Sequence, residues 1–161
     1  MDTPCEQRPT ATVTPHLVCN DAAAAIEFYK AAFGAVERHR LPGPDGTGTM
    51  HACIQIKESP IFLVDECPEW GSFSPKTLKG TPVTIHLQVE NVDELYAQAI
   101  AAGGTVKMSP ADMFWGDRYG VLVDPFGHQW SIATHKEDLT PAQILEKAKT
   151  VFGAPDCQVS Q

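Results

Sequence analysis

The stretch Thr84-Ile85-His86-Leu87-Gln88-Val89-Glu90-Asn91 decides how the chain is read. Apolar Ile85, Leu87 and Val89 alternate with polar Thr84, His86 and Gln88, the period of a strand with one face on a core and the other wetter. Seventy residues earlier, Thr14-Pro15-His16-Leu17-Val18-Cys19-Asn20-Asp21 runs in the same order and places His16-Leu17 against His86-Leu87. Residues 16–35 and 86–105 share only 5 of 20 identities. The weight of the repeat therefore rests on the order of its element types.

Each copy continues with a helix. Asp21 is placed to cap the first, whose apolar stripe is Ile26, Tyr29 and Phe33. Asn91 with Glu94 resembles a capping box for the second, which carries Val92, Leu95, Ala99 and Ile100. Gly34 and Gly103-Gly104 end them. Strands are then expected at about 36–41, 49–57 and 60–66 in the first copy. In the second they are expected at about 105–109, 118–124 and 128–134. Lys57-Glu58-Ser59 and Asp124-Pro125-Phe126-Gly127 supply turns. Thr140-Pro141-Ala142-Gln143 starts a last helix over 141–152. The fold class expected is α+β: two tandem βαβββ modules, about 12–67 and 81–135, forming a curved mixed sheet with helices on the convex face, plus the C-terminal helix. Residues 1–11 and 153–161 read as flexible tails.

The chain has 161 residues, enough for one domain, with 43% hydrophobic residues and 20% charged. A net charge of −8 argues against nucleic acid and anionic membrane as partners, since both need clustered Lys and Arg. Met1–Thr10 has no basic and apolar leader pattern, and no apolar run approaches a membrane span. The five cysteines form no CxxC pair, which fits free thiols in the cytoplasm. No GxSxG, HExxH or GxGxxG occurs. The Gly43–Gly48 stretch lacks both a following helix and a Lys and reads as a hairpin loop.

By alternation, the concave face is expected to carry Thr14, His16, Val18, His51, Cys53, Gln55, Leu63 and Asp65. From the second copy it takes Thr84, His86, Gln88, Arg118, Leu122, Gln129, Ser131 and Ala133. His16 and His86 occupy matching places and are the candidate catalytic pair. As wall residues each makes one hydrogen bond; as a converging pair they contact a ligand, exchange protons near neutral pH or bind a metal, with Asp65 as the nearest carboxylate. In Phe114-Trp115-Gly116-Asp117-Arg118-Tyr119-Gly120, Arg118 clamps an anionic group, or pairs locally with Asp117 in a turn. Trp115 and Tyr119 offer stacking surfaces. Trp70 and Phe73, in the Pro/Gly/Ser-rich connector, either cover a cavity or pin the crossover.

The segments Asp21–Gly34, Phe114–Gly120, Asp124-Pro125-Phe126-Gly127-His128-Gln129-Trp130 and Ala133–Asp138 resemble the vicinal oxygen chelate superfamily. Among its members, which include glyoxalase I, extradiol dioxygenases, fosfomycin-resistance and bleomycin-binding proteins, the chain is most similar to the PhnB-like branch. The resemblance covers about 12–152. It implies a homodimer that binds a small molecule. The family's metal enzymes carry one His or Glu ligand on the first and last strand of each module. Those places fall on Thr14, Leu63, Thr84 and Ser131, so the usual metal centre is not expected. The resemblance thus implies a small-molecule-binding protein without the usual metal, contacting its ligand through His16, His51, His86, Trp115, Arg118 and Tyr119. The alternative is a lyase or isomerase of the glyoxalase class on a small oxygenated substrate. It would be metal-free with a His base, or use a divalent metal held off-register by His16, His86 and Asp65.

Overall fold

The computed structural model describes residues 11–153. The tails expected at either end, apart from residues 11 and 153, lie outside the described residues. The first module comprises β1 (His16–Cys19), α1 (Ala22–Phe33), β2 (Val36–Leu41), β3 (His51–Ile56) and β4 (Ser59–Asp65). A 3-10 turn (Pro68–Trp70) and the short helix α2 (Pro75–Leu78) connect it to the second. That module comprises β5 (Thr84–Gln88), α3 (Val92–Ala101), β6 (Thr105–Asp112), β7 (Asp117–Val123) and β8 (Gln129–His135), and α4 (Pro141–Phe152) follows. Each module forms its own four-stranded mixed sheet, in the orders β1-β4-β3-β2 and β5-β8-β7-β6. The first and last strands of each module pair in parallel.

The helix ends follow their capping residues. Asp21 accepts from the Ala24 N–H at 2.9 Å and Asn91 from the Glu94 N–H at 3.2 Å. Asn91 closes its motif by donating its side-chain amide to Glu94, at 3.2 Å, rather than through the backbone. Gly34 ends α1 at φ 66°, a left-handed conformation that favours glycine. Thr140 and Gln143 form the full reciprocal box at α4.

Helices α1 and α3 pack on the core side of the sheets, and one hydrophobic core spans both modules. At its centre the Trp130 ring of β8 lies 4.6 Å from Phe33 and 5.2 Å from Tyr29, both on α1. Asp124 ties this seam: one oxygen accepts from Tyr29 Oη at 2.7 Å and Trp130 Nε1 at 2.8 Å. Its other oxygen accepts from the N–H groups of Phe126 and His128, both at 2.9 Å, and so builds the turn before β8.

Two strands present the opposite face from the one expected. In β3, Ala52, Ile54 and Ile56 point to the core. The Lys57-Glu58 turn pairs Ile56 with Ser59, Ile54 with Ile61 and Ala52 with Leu63. Residues directly opposite across a ladder share a face, so Ile61 and Leu63 enter the core while Phe62 and Val64 face the concave side. Asp65 turns to the helix side, where its oxygens accept from the N–H groups of Ala22 and Thr49, both at 2.6 Å. In β7, Leu122 opposes Trp130 and enters the core. Arg118 shares that side and reaches Asp93 of α3 at 2.7 Å and Asp112 at 3.2 Å. Tyr119 and Val121 take the concave positions. The expected faces of β1, β3, β5 and β8 agree with the structure.

Candidate functional site

The concave face of the first module gathers rings. His16 meets His51 edge to face at 5.8 Å and Phe62 at 6.0 Å. His51 lies 4.9 Å from Phe62 and 5.3 Å from His39. Partial burial lowers the His51 pKa, and the neighbouring imidazoles of His39 and His16 lower it further. Cys53 shares this face and is buried, its thiol donating to the Ile54 carbonyl at 3.6 Å. Arg38, at a bulge in β2, donates to Gln55.

On the second module, the His86 Nδ1 stands 2.8 Å from Ser131 Oγ and its Nε2 stands 3.2 Å from Gln88 Oε1. In the neutral imidazole this pattern places the proton on Nε2, facing the amide oxygen, and lets Nδ1 accept from the hydroxyl. Tyr119 stacks on His86 at 6.2 Å, and Trp115 meets Tyr119 edge-on at 5.5 Å. Trp115, Tyr119 and His86 therefore form one continuous wall.

β1 and β5 meet at a cavity of about 600 Å³, within the usual range for ligand sites. His16 and His86 both line it, and the connector covers it with Phe73, Pro75 and Leu78. The structure brings the two candidate histidines to one cavity. His51, Trp115 and Tyr119 stand behind them as supporting rings. Arg118 is excluded, because it faces the helix side and is held there by Asp93 of α3 and Asp112 of β6. Of the connector aromatics, Phe73 reaches the cavity while Trp70 is 84% exposed.

His128 also lines the cavity. It was quoted above only within the turn before β8. Its Nε2 lies 3.1 Å from the Val18 carbonyl and so links the turn before β8 to β1. Burial lowers its pKa, against the Asp124 carboxylate and the Val18 carbonyl, which act to raise it. The neighbouring Cys19 thiol is pushed up by burial and by Asp124, Asp65 and Asp21, so it stays protonated and unreactive. Phe62 and His39 were missed as well. The two-residue turn after β3 carries the signal for Phe62, since it fixes which β4 residues face with His51.

The donor sets do not fit the metal centre implied by the family. Leu63 lies in the core and has no lone pair. Thr84 is engaged by Gln129 at 2.7 Å and Ser131 by His86. The off-register set fails as well, because Asp65 faces away from His16 and His86 with both oxygens bonded. No group of three or more His, Cys, Asp or Glu among the described residues is arranged to hold a metal.

The sequence model of the Glyoxalase/Bleomycin resistance protein/Dioxygenase superfamily matches residues 10–132. The uncharacterized protein Rv0887c of Mycobacterium tuberculosis is 50% identical over 135 residues, covering 82% of this chain and 79% of its own. The structure of PA1353 from Pseudomonas aeruginosa superimposes with a TM-score of 0.65 at 21% identity, covering 80% of this chain and all of the other. A PhnB protein from Bacillus cereus gives 0.61 at 17% identity, covering 77% of this chain and 99% of its own. The chain belongs to the glyoxalase/bleomycin resistance protein/dioxygenase superfamily.

Proposed function

We propose that the protein binds a small, partly aromatic molecule in the cavity between its modules, without the usual metal centre of the superfamily. The observation that carries this reading is the cavity itself, where pseudo-symmetric His16 and His86 meet an apolar cover from the connector. Phe73 on the cover and the imidazoles of His16 and His86 on the walls support the ring-bearing character of the ligand, with Tyr119 and Trp115 backing His86. Arg118 takes no part.

We assign a homodimer as the working form. Val36 and Leu41, whose ladder partners are Gln55 and His51, leave an apolar rim 53% and 49% exposed beside the first module's concave face. Sedimentation at micromolar concentration checks this: twice the chain mass supports the dimer and a single chain mass contradicts it. We place the protein in the cytoplasm, since Cys19 and Cys67 stand outside any disulfide among the described residues. No helix among the described residues is long and apolar enough to cross a membrane.

The test is a fragment screen by thermal shift on the full chain, repeated on Thr84→Trp, which fills the cavity from β5. Fragments that stabilise the parent and lose their effect in this variant support the reading. Equal stabilisation of both proteins contradicts it. A second arm uses Trp115→Ala, which removes the ring that positions Tyr119. We expect affinity for the hits to fall severalfold, because His86 loses the stacked support that Tyr119 gives it. Unchanged affinity would remove the stacking wall from the account.

A further inference from the structure

Among the described residues, the walls of the cavity between β1 and β5 carry no carboxylate, ammonium or guanidinium group; their titratable groups are the imidazoles of His16, His86 and His128. Most of the remaining surface is apolar, with Leu17, Phe73 and Ile85 as examples. A charged ligand entering here would give up part of its hydration without gaining a counter-charge from the walls. An uncharged ligand avoids that penalty and gains the burial of its apolar surface.

The imidazoles differ in what they have left to offer. Both nitrogens of His86 are engaged, by Ser131 and Gln88. His128 is bonded through Nε2 to Val18. His16 makes only ring contacts among the described residues, with His51 and Phe62. Its two nitrogens are therefore available as one donor and one acceptor when the ring is neutral. A ligand hydroxyl meets either of them.

We propose that the ligand of this cavity is uncharged: a largely apolar, ring-bearing molecule whose hydroxyl hydrogen-bonds to His16. This rests on the reading of the cavity as a ligand site. It sets the preferred ligand apart from phosphorylated or carboxylated compounds and from cationic amines, for which the walls hold no partner.

Calorimetric titration of the full chain at neutral pH tests the proposal with one ring system in four forms: naphthalene, naphthalenemethanol, naphthoate and naphthylmethylammonium. We expect the alcohol to bind about tenfold or more tighter than either ion, and His16→Phe to cost the alcohol about tenfold while sparing naphthalene. His16 is exposed, so this variant folds. Naphthoate or the ammonium binding as tightly as the alcohol overturns the uncharged class and leaves the cavity a ligand site. An equal loss for the alcohol and naphthalene in His16→Phe overturns the hydrogen bond. Failure of all four probes overturns the ligand class and the binding reading together.

Discussion

At the scale of single residues, Asp124 concentrates the interior polar bonding. It is 2% exposed, and its two oxygens serve four donors. In Asp124→Asn the amide NH2 must face either the backbone donors or Trp130 Nε1, a donor against a donor. We expect a loss of about 2–4 kcal/mol in urea unfolding, the range for a broken charge-assisted cluster. A change below about 0.5 kcal/mol would contradict the assigned network. His128 supplies a pH signature. Its native pKa is depressed by burial, so the unfolded chain binds the proton more readily. Stability is then full above the unfolded value of about 6.5 and is lost as pH falls through the window below it. His51 acts in the same direction. His135, raised by Asp117 and Asp138, contributes stability below that value that is lost as pH rises, and it is exposed enough for screening to keep the effect small. We expect His128→Gln to flatten the acid limb of the stability profile. An unchanged limb would show that His128 titrates freely in the native state. Arg118 belongs to this scale too: Arg118→Gln should leave probe affinity unchanged and shift the urea midpoint little, as solvent-screened pairs do.

The elements themselves were largely legible in the sequence. Apolar alternation located β1 and β5, and Asp21, Asn91 and Thr140 marked their helices. Facing was less legible in β4 and β7. Alternation within one strand gives two faces but does not say which is buried, and β4 is apolar on both, through Ile61, Leu63, Phe62 and Val64. The turn supplies the missing information, because Lys57 and Glu58 join strands whose end residues Ile56 and Ser59 are opposed. Leu63→Ala should therefore cost about 2–5 kcal/mol and Phe62→Ala less than half of that. The reverse order would restore the inverted register. Gly127 ties a turn to the cavity cover. Its φ is 91°, and a Cβ there would lie 2.9 Å from Pro75 Cβ. Gly127→Ala should push the connector outward, cost more than about 1 kcal/mol and weaken probe binding. Undiminished binding would show that the connector does not shape the cavity.

Across the whole molecule, the modules share one core through α1, Trp130 and Asp124, so unfolding should be a single cooperative transition. The pairing of His16 with His86 was readable from the repeat. The part played by His128 was not, since it depends on the seam that Val18 and Asp124 create across the modules. The measurement that most directly tests the account is the histidine imidazole NMR spectrum of the full chain, titrated with naphthalenemethanol. The account requires the His16, His86 and His128 signals to move together with one dissociation constant while His135 stays in place. Movement of His135 alone, or of none of the three, would contradict binding in the cavity between the modules.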